Sequence, residues 1–83
     1  MTIESTNALI AALRALDAET RRMERRLADG ELDDEEAEAL GLYVTDLHEA
    51  AAVLGEDYER RRRADDLTPL DSLLAHFARE DGA

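Results

Sequence analysis

The chain has 83 residues, no cysteine, and 21 acids against 10 bases, every base an arginine, for a formal charge of −11. A chain this short supports one core and buries a smaller share of its surface than a larger domain does. The composition excludes disulfide and thiolate-metal staples, and the acidic field opposes contact with nucleic acid or anionic lipid while favouring basic partners.

The opening MTIESTNALIAALRALDAE has neither a basic leader nor a long apolar core. Secretion and membrane spanning are not expected, and the expected compartment is cytoplasmic. Leu9, Leu13, Leu16, Thr20, Met23 and Leu27 follow one another at steps of 4, 3, 4, 3 and 4. That spacing predicts a helix over residues 6–29 with one apolar seam. Ser5, Thr6 or Asn7 can cap its start, and Gly30 suits the left-handed position past its end.

Leu40, Val44, Leu47, Ala51, Leu54 and Tyr58 repeat the same steps and predict a second helix over residues 34–63. The connection between the two is short, and short connections join antiparallel neighbours. Asp33 is placed as an N-cap with Glu36 as its capping-box partner, and Leu32 can staple against Ala37. Gly41 and Gly55 each cost about 1 kcal/mol relative to alanine inside a helix, which leaves open a break in the second helix at either point.

Thr68, Pro69 and Asp71 read as N-cap, first-turn proline and dipole-matched acid of a third helix over residues 69–79. Its apolar face is Leu70, Leu73, Leu74 and Phe77, expected to fold over the end of the hairpin that holds Leu9, Ile10, Val53 and Leu54. The expected architecture is all-α. A single domain over residues 1–83 forms a small helical bundle of two long antiparallel helices plus a short C-terminal helix.

The segment DGELDDEEAE, Asp29 to Glu38, packs seven carboxylates into ten residues. An EF-hand count starting at Asp29 puts Asp34 where the loop needs glycine and Leu40 where it needs a bidentate glutamate, so the calcium pattern fails. His48 and His76 have no histidine at i+4 and no HExxH motif, which leaves His76 with Glu80, one turn on, as an ordinary ion pair. Ser5 and Ser72 fall at helix starts, where capping is the usual role, and no glycine-rich elbow or phosphate loop surrounds either. The expectation is a non-enzyme with no cofactor and no metal.

Arg21 and Arg60 to Arg63 mostly follow acids by one turn: Asp17 to Arg21, Glu56 to Arg60, Asp57 to Arg61 and Glu59 to Arg63. These read as solvated, ion-paired faces rather than a nucleic-acid patch. From Leu27 through Glu59, by contrast, twelve carboxylates occur without one lysine or arginine. With the second seam turned inward, Glu35, Glu38, Asp46, Glu49, Glu56 and Glu59 fall on the opposite face as pairs repeating every roughly 16 Å of helix. In sign and coarse spacing this resembles a phosphate backbone.

A short, cysteine-free helical chain carrying DGELDDEEAE and this run of acids resembles the small acidic inhibitors of phages and mobile elements, including anti-CRISPR proteins that mimic nucleic acid. The resemblance implies occupation of the basic DNA- or RNA-binding groove of a larger complex. Glu35, Glu38, Asp46 and Glu49 are the expected contacts, supported by Asp33, Asp34 and Glu36 at the tip. The expected partner is a basic nucleic-acid-binding protein, with no direct binding of nucleic acid or membrane. The competing expectation is a helical interaction or assembly module, an adaptor, antitoxin-like partner or homodimer, in which Leu42, Val53, Gly41 and Gly55 supply an apolar seam.

Overall fold

The computed structural model describes residues 4–82, so the first three residues and the last of the expected 1–83 unit lie outside the described residues. The described chain is all-helical: α1 spans Thr6–Asp29, α2 spans Asp34–Asp65 and α3 spans Leu70–Gly82. No described helix is long and apolar enough to cross a membrane.

Side chains set most of the boundaries. Ser5 is extended, and its Oγ accepts the Ala8 amide at 3.3 Å, which satisfies one of the orphan donors of α1. α1 stops at Gly30, whose φ of 69° is open to glycine at little steric cost. Asp33 then accepts the Glu36 amide at 2.8 Å, and Asp34, Glu35 and Glu36 occupy the first turn of α2. Acids at the start of α2 and Arg62 and Arg63 in its last turn both complement the helix dipole. α2 ends at Asp66, a non-glycine residue at φ 55°, with the Leu67 amide donating to the Arg62 carbonyl at 3.0 Å.

α2 runs unbroken through both glycines, because tertiary packing of its seam outweighs local propensity. The two glycines differ in surroundings. A Cβ at Gly55 would lie 3.1 Å from Leu70 Cδ2, so the missing side chain is what lets the start of α3 sit on α2; a Cβ at Gly41 would meet nothing within 4 Å. Gly41→Ala is therefore expected to stabilise by about 1 kcal/mol, raising the thermal midpoint by roughly 4–8 °C. Gly55→Ala gains less, because crowding against Leu70 offsets the propensity. Equal gains by calorimetry at both positions would contradict the seat.

The core has two parts. At one end Leu9, Leu13, Tyr58 and Phe77 are buried, with Ile10, Leu54, Leu70, Leu73 and Leu74 packed around them. Toward the α1–α2 turn, Met23, Val44 and Leu47 are buried against Leu16, Leu27 and Leu40. Early α1 thus meets late α2, and late α1 meets early α2, so the long helices are antiparallel. The buried Thr20 hydroxyl donates to the Leu16 carbonyl at 2.7 Å, leaving the seam without an orphaned polar group at that point. Arg14 lies over the Phe77 ring at 5.2 Å and pairs with Glu80 at 3.5 Å, fastening the far end of α3 to α1.

Two expectations about α3 are corrected. Val53 does not join its contact: it is 62% exposed, because Leu54 and Gly55 are the residues turned toward α3. The cap also shifts by one residue. The Leu73 amide donates to the Pro69 carbonyl at 3.1 Å, which puts Pro69 rather than Thr68 at the cap and makes Leu70 the first helical residue. The Leu70 amide is satisfied from α2, by Glu59 Oε1 at 3.0 Å, and the Thr68 carbonyl accepts from the Tyr58 hydroxyl at 2.6 Å.

Candidate functional site: the outer face of the second helix

At about 100° per residue, Glu35, Glu38, Asp46 and Glu49 fall within an arc of about 80° on the side of α2 opposite Val44 and Leu47, along about 21 Å of axis. All four are exposed. Asp33, Asp34 and Glu36 are exposed as well but surround the first turn instead of extending the line. Asp33 is committed to the cap, and the Glu36 amide it accepts is the main reason its carboxyl lies below the usual aspartate range. Glu36 borders a surface recess with Arg26, Leu32 and Tyr43, on the flank nearer α1.

Among the described residues, none of these seven carboxylates forms an ion pair. The pairs go elsewhere: Asp17–Arg21 at 2.9 Å, Glu19–Arg22 at 2.6 Å, and the Asp57 and Glu59 pairs near the end of α2. Two expected pairs are corrected. Arg60 bonds Asp57 at 3.2 Å instead of Glu56, and Asp57 also holds Arg61 at 3.0 Å. Glu59 bonds Arg62 at 2.7 Å instead of Arg63, because its carboxylate is drawn toward α3, where it accepts the Leu70 amide. Glu59 is accordingly half-buried and leaves the outer stripe, which ends at the exposed Glu56.

Glu59 supplies a pH signature. Hydrogen bonds from Arg62 and then from the Leu70 amide hold its carboxyl below the usual glutamate range. The folded-state pKa is thus lower than the unfolded one, so the stabilisation is complete above the ordinary carboxylate range and is lost as pH falls through the lowered value. Glu59→Gln is expected to be less stable than wild type at neutral pH and to lose less on acidification, measured by denaturant midpoints across pH. Parallel pH curves for the two proteins would contradict the role.

The outer line has a measurable consequence without any partner. Unneutralised like charges repel, and salt screens them over about 8 Å at physiological ionic strength. Added NaCl should raise the thermal midpoint of the wild type, and raise it less in a variant with Glu35, Glu38, Asp46 and Glu49 all changed to glutamine. An identical salt response in the two proteins would show that the line carries no uncompensated field.

Other chemistry-bearing groups are already occupied. His76 contacts Glu80 at 2.8 Å and His48 approaches Glu24 at 3.8 Å, and among the described residues no three His, Asp or Glu side chains gather as metal ligands. A recess of about 640 Å³ beside α3 has Ala51, Ala52, Gly55, Leu70 and Leu74 on its floor, and its one half-buried carboxylate is the committed Glu59. Tyr43, on the flank of α2 nearer α1, donates its hydroxyl to Glu19 at 2.8 Å, tying α2 to α1 and lowering the Glu19 pKa. Leu42 and Val53 stand 64% and 62% exposed on the outer side of α2.

Comparison with family models, curated proteins and solved structures finds no match.

Proposed function

We propose that the chain is a non-enzymatic inhibitor that binds a basic nucleic-acid-handling protein, its outer α2 face substituting for phosphates in the manner of nucleic-acid-mimicking anti-CRISPR proteins. The three helices act on this reading as one small cytoplasmic bundle whose task is to hold one helix face rigid. A single observation carries it: four exposed carboxylates stand in line on a helix with no arginine or histidine paired to them among the described residues. Such a line attracts lysine and arginine at long range, so association is fast and falls steeply with salt.

The chain, immobilised and exposed to nuclease-treated lysate, should retain a nucleic-acid-binding protein that duplex DNA or RNA displaces. Retention that survives high salt unchanged, or that polynucleotide does not compete, contradicts the reading. The exposure of Leu42 and Val53 favours a second reading, a self-associating helical module. Sedimentation as a monomer at every accessible concentration removes that version, whereas Gly55 is already occupied within the chain by Leu70.

A further inference from the structure

The outer side of α2 carries a repeat of eleven residues: Glu35, Glu38 and Leu42, then Asp46, Glu49 and Val53. Eleven residues make three helical turns plus about 20°, so a unit of this length stays on one line of a straight helix and advances about 16.5 Å. All six side chains are exposed. Isolated surface hydrophobics need no explanation. Here, however, two of the three large exposed hydrophobics of the described chain occupy the same place in successive units, each following a pair of acids.

We propose that this ridge docks lengthwise against a basic amphipathic α-helix of the partner, with Leu42 and Val53 as apolar anchors between bands of ion pairs. The proposal rests on the reading that the acidic face binds a basic protein, and it specifies the element that face meets. Three features select the occupant. The ridge covers an arc of about 80° and runs about 27 Å from Glu35 to Val53, the footprint of a helix laid alongside rather than of a small ligand. Its unpaired carboxylates demand a cationic surface. Its aliphatic members demand apolar side chains at the same three-turn interval.

A second copy of the chain can meet the apolar demand but not the cationic one. A two-fold antiparallel pairing that sets Leu42 on the other copy's Val53 also sets Asp46 on its Glu49, and a parallel pairing in register sets every acid on its own copy. Nucleic acid and anionic lipid are repelled outright. The docked state therefore contains a part that salt weakens, the ion pairs, and a part that salt does not screen, the two aliphatic contacts.

The test uses the full chain and two labelled, alanine-based helical peptides of equal composition. One carries lysines and two leucines at the spacing of the ridge; in its isomer the leucines are moved to the opposite face. Fluorescence anisotropy should show the patterned peptide binding roughly tenfold tighter than the isomer, a preference that outlasts added salt as overall affinity falls. Leu42→Ser with Val53→Ser should erase the preference, and because both residues are exposed its thermal melt should match the wild type. Equal affinity for the two peptides, or an unchanged preference in the double variant, overturns the anchors. The charge reading beneath would still stand if neutralising Glu35, Glu38, Asp46 and Glu49 weakened both peptides, and would fall with the anchors if it weakened neither. A dimer in sedimentation that the double variant returns to monomer overturns the proposal by giving the ridge to a second copy.

Discussion

Changing Glu35, Glu38, Asp46 and Glu49 together to lysine should weaken capture of the basic partner at least about a hundredfold while leaving the fold intact. Exposed ion pairs contribute about 0.2–1 kcal/mol each, and close interfacial pairs more. Four attractions lost and turned into repulsions exceed the roughly 2.7 kcal/mol that a hundredfold change requires. The helix itself should tolerate the exchange, because all four side chains are exposed and the lysines face the many acids that remain. Net charge must be separated from placement. Reversing Glu4, Asp29, Asp65 and Asp71, four exposed acids off the line, changes the net charge by the same amount and is the control, which should change binding far less. Equal loss in the two variants would mean that the partner senses total charge alone, and the α2 face would lose its special standing.

Leu9→Ala should be the most damaging single truncation among the core leucines. Leu9 is 0% exposed and packs in the cluster that joins all three helices. Removing such a side chain leaves a cavity and costs about 3 kcal/mol, within the usual range of 2–5 for leucine. For a chain of this size that is a large share of total stability, about 4–12 kcal/mol, and lowers the thermal midpoint by roughly 10–25 °C. Leu42→Ala, at a residue 64% exposed, is the comparison and should change the midpoint little. Circular dichroism melts decide it. Similar melting of the two variants would contradict the cluster around Leu9 as the centre of the fold.

The long helices were legible because their signals are local. The 4–3 spacing from Leu9 to Leu27 and from Leu40 to Tyr58 needs only a helical period to be read, and of those twelve positions Leu9, Leu13, Thr20, Met23, Val44, Leu47 and Tyr58 are buried and the other five half-buried. Gly30 and Asp33 act through their own backbone or the next turn, so their roles followed from chemistry alone. What stayed hidden depends on the third dimension. Nothing within one turn of Glu59 announces that it satisfies Leu70, eleven residues on, and that contact is also what moves its arginine from Arg63 to Arg62. Gly55 read as a weak point because its value lies in the approach of Leu70. Val53 read as a contact of α3 because one residue of rotation separates it from Leu54.

The outer face was legible in part for the same reason. The period that turns Val44 and Leu47 inward turns Asp46 and Glu49 outward, and sequence spacing carries this without coordinates. Whether those acids would find arginines was not legible, since Arg21, Arg22 and Arg60 to Arg62 had several acids within reach. They settle on Asp17, Glu19, Asp57 and Glu59, partners on their own helices within one turn. Short local pairing thus leaves the middle of α2 without a neutralising partner among the described residues. The exposed Leu42 and Val53 complete that surface and carry the claim that it meets protein rather than solvent alone.

The most direct measurement is a competition. The captured basic partner is loaded with a labelled duplex that it binds, and the chain is titrated in while anisotropy reports the duplex. If the line of carboxylates takes the place of phosphates, the label is released at near-stoichiometric chain and stays bound when Glu35, Glu38, Asp46 and Glu49 are lysine. A ternary complex, with chain and duplex held by the partner at once, would contradict it.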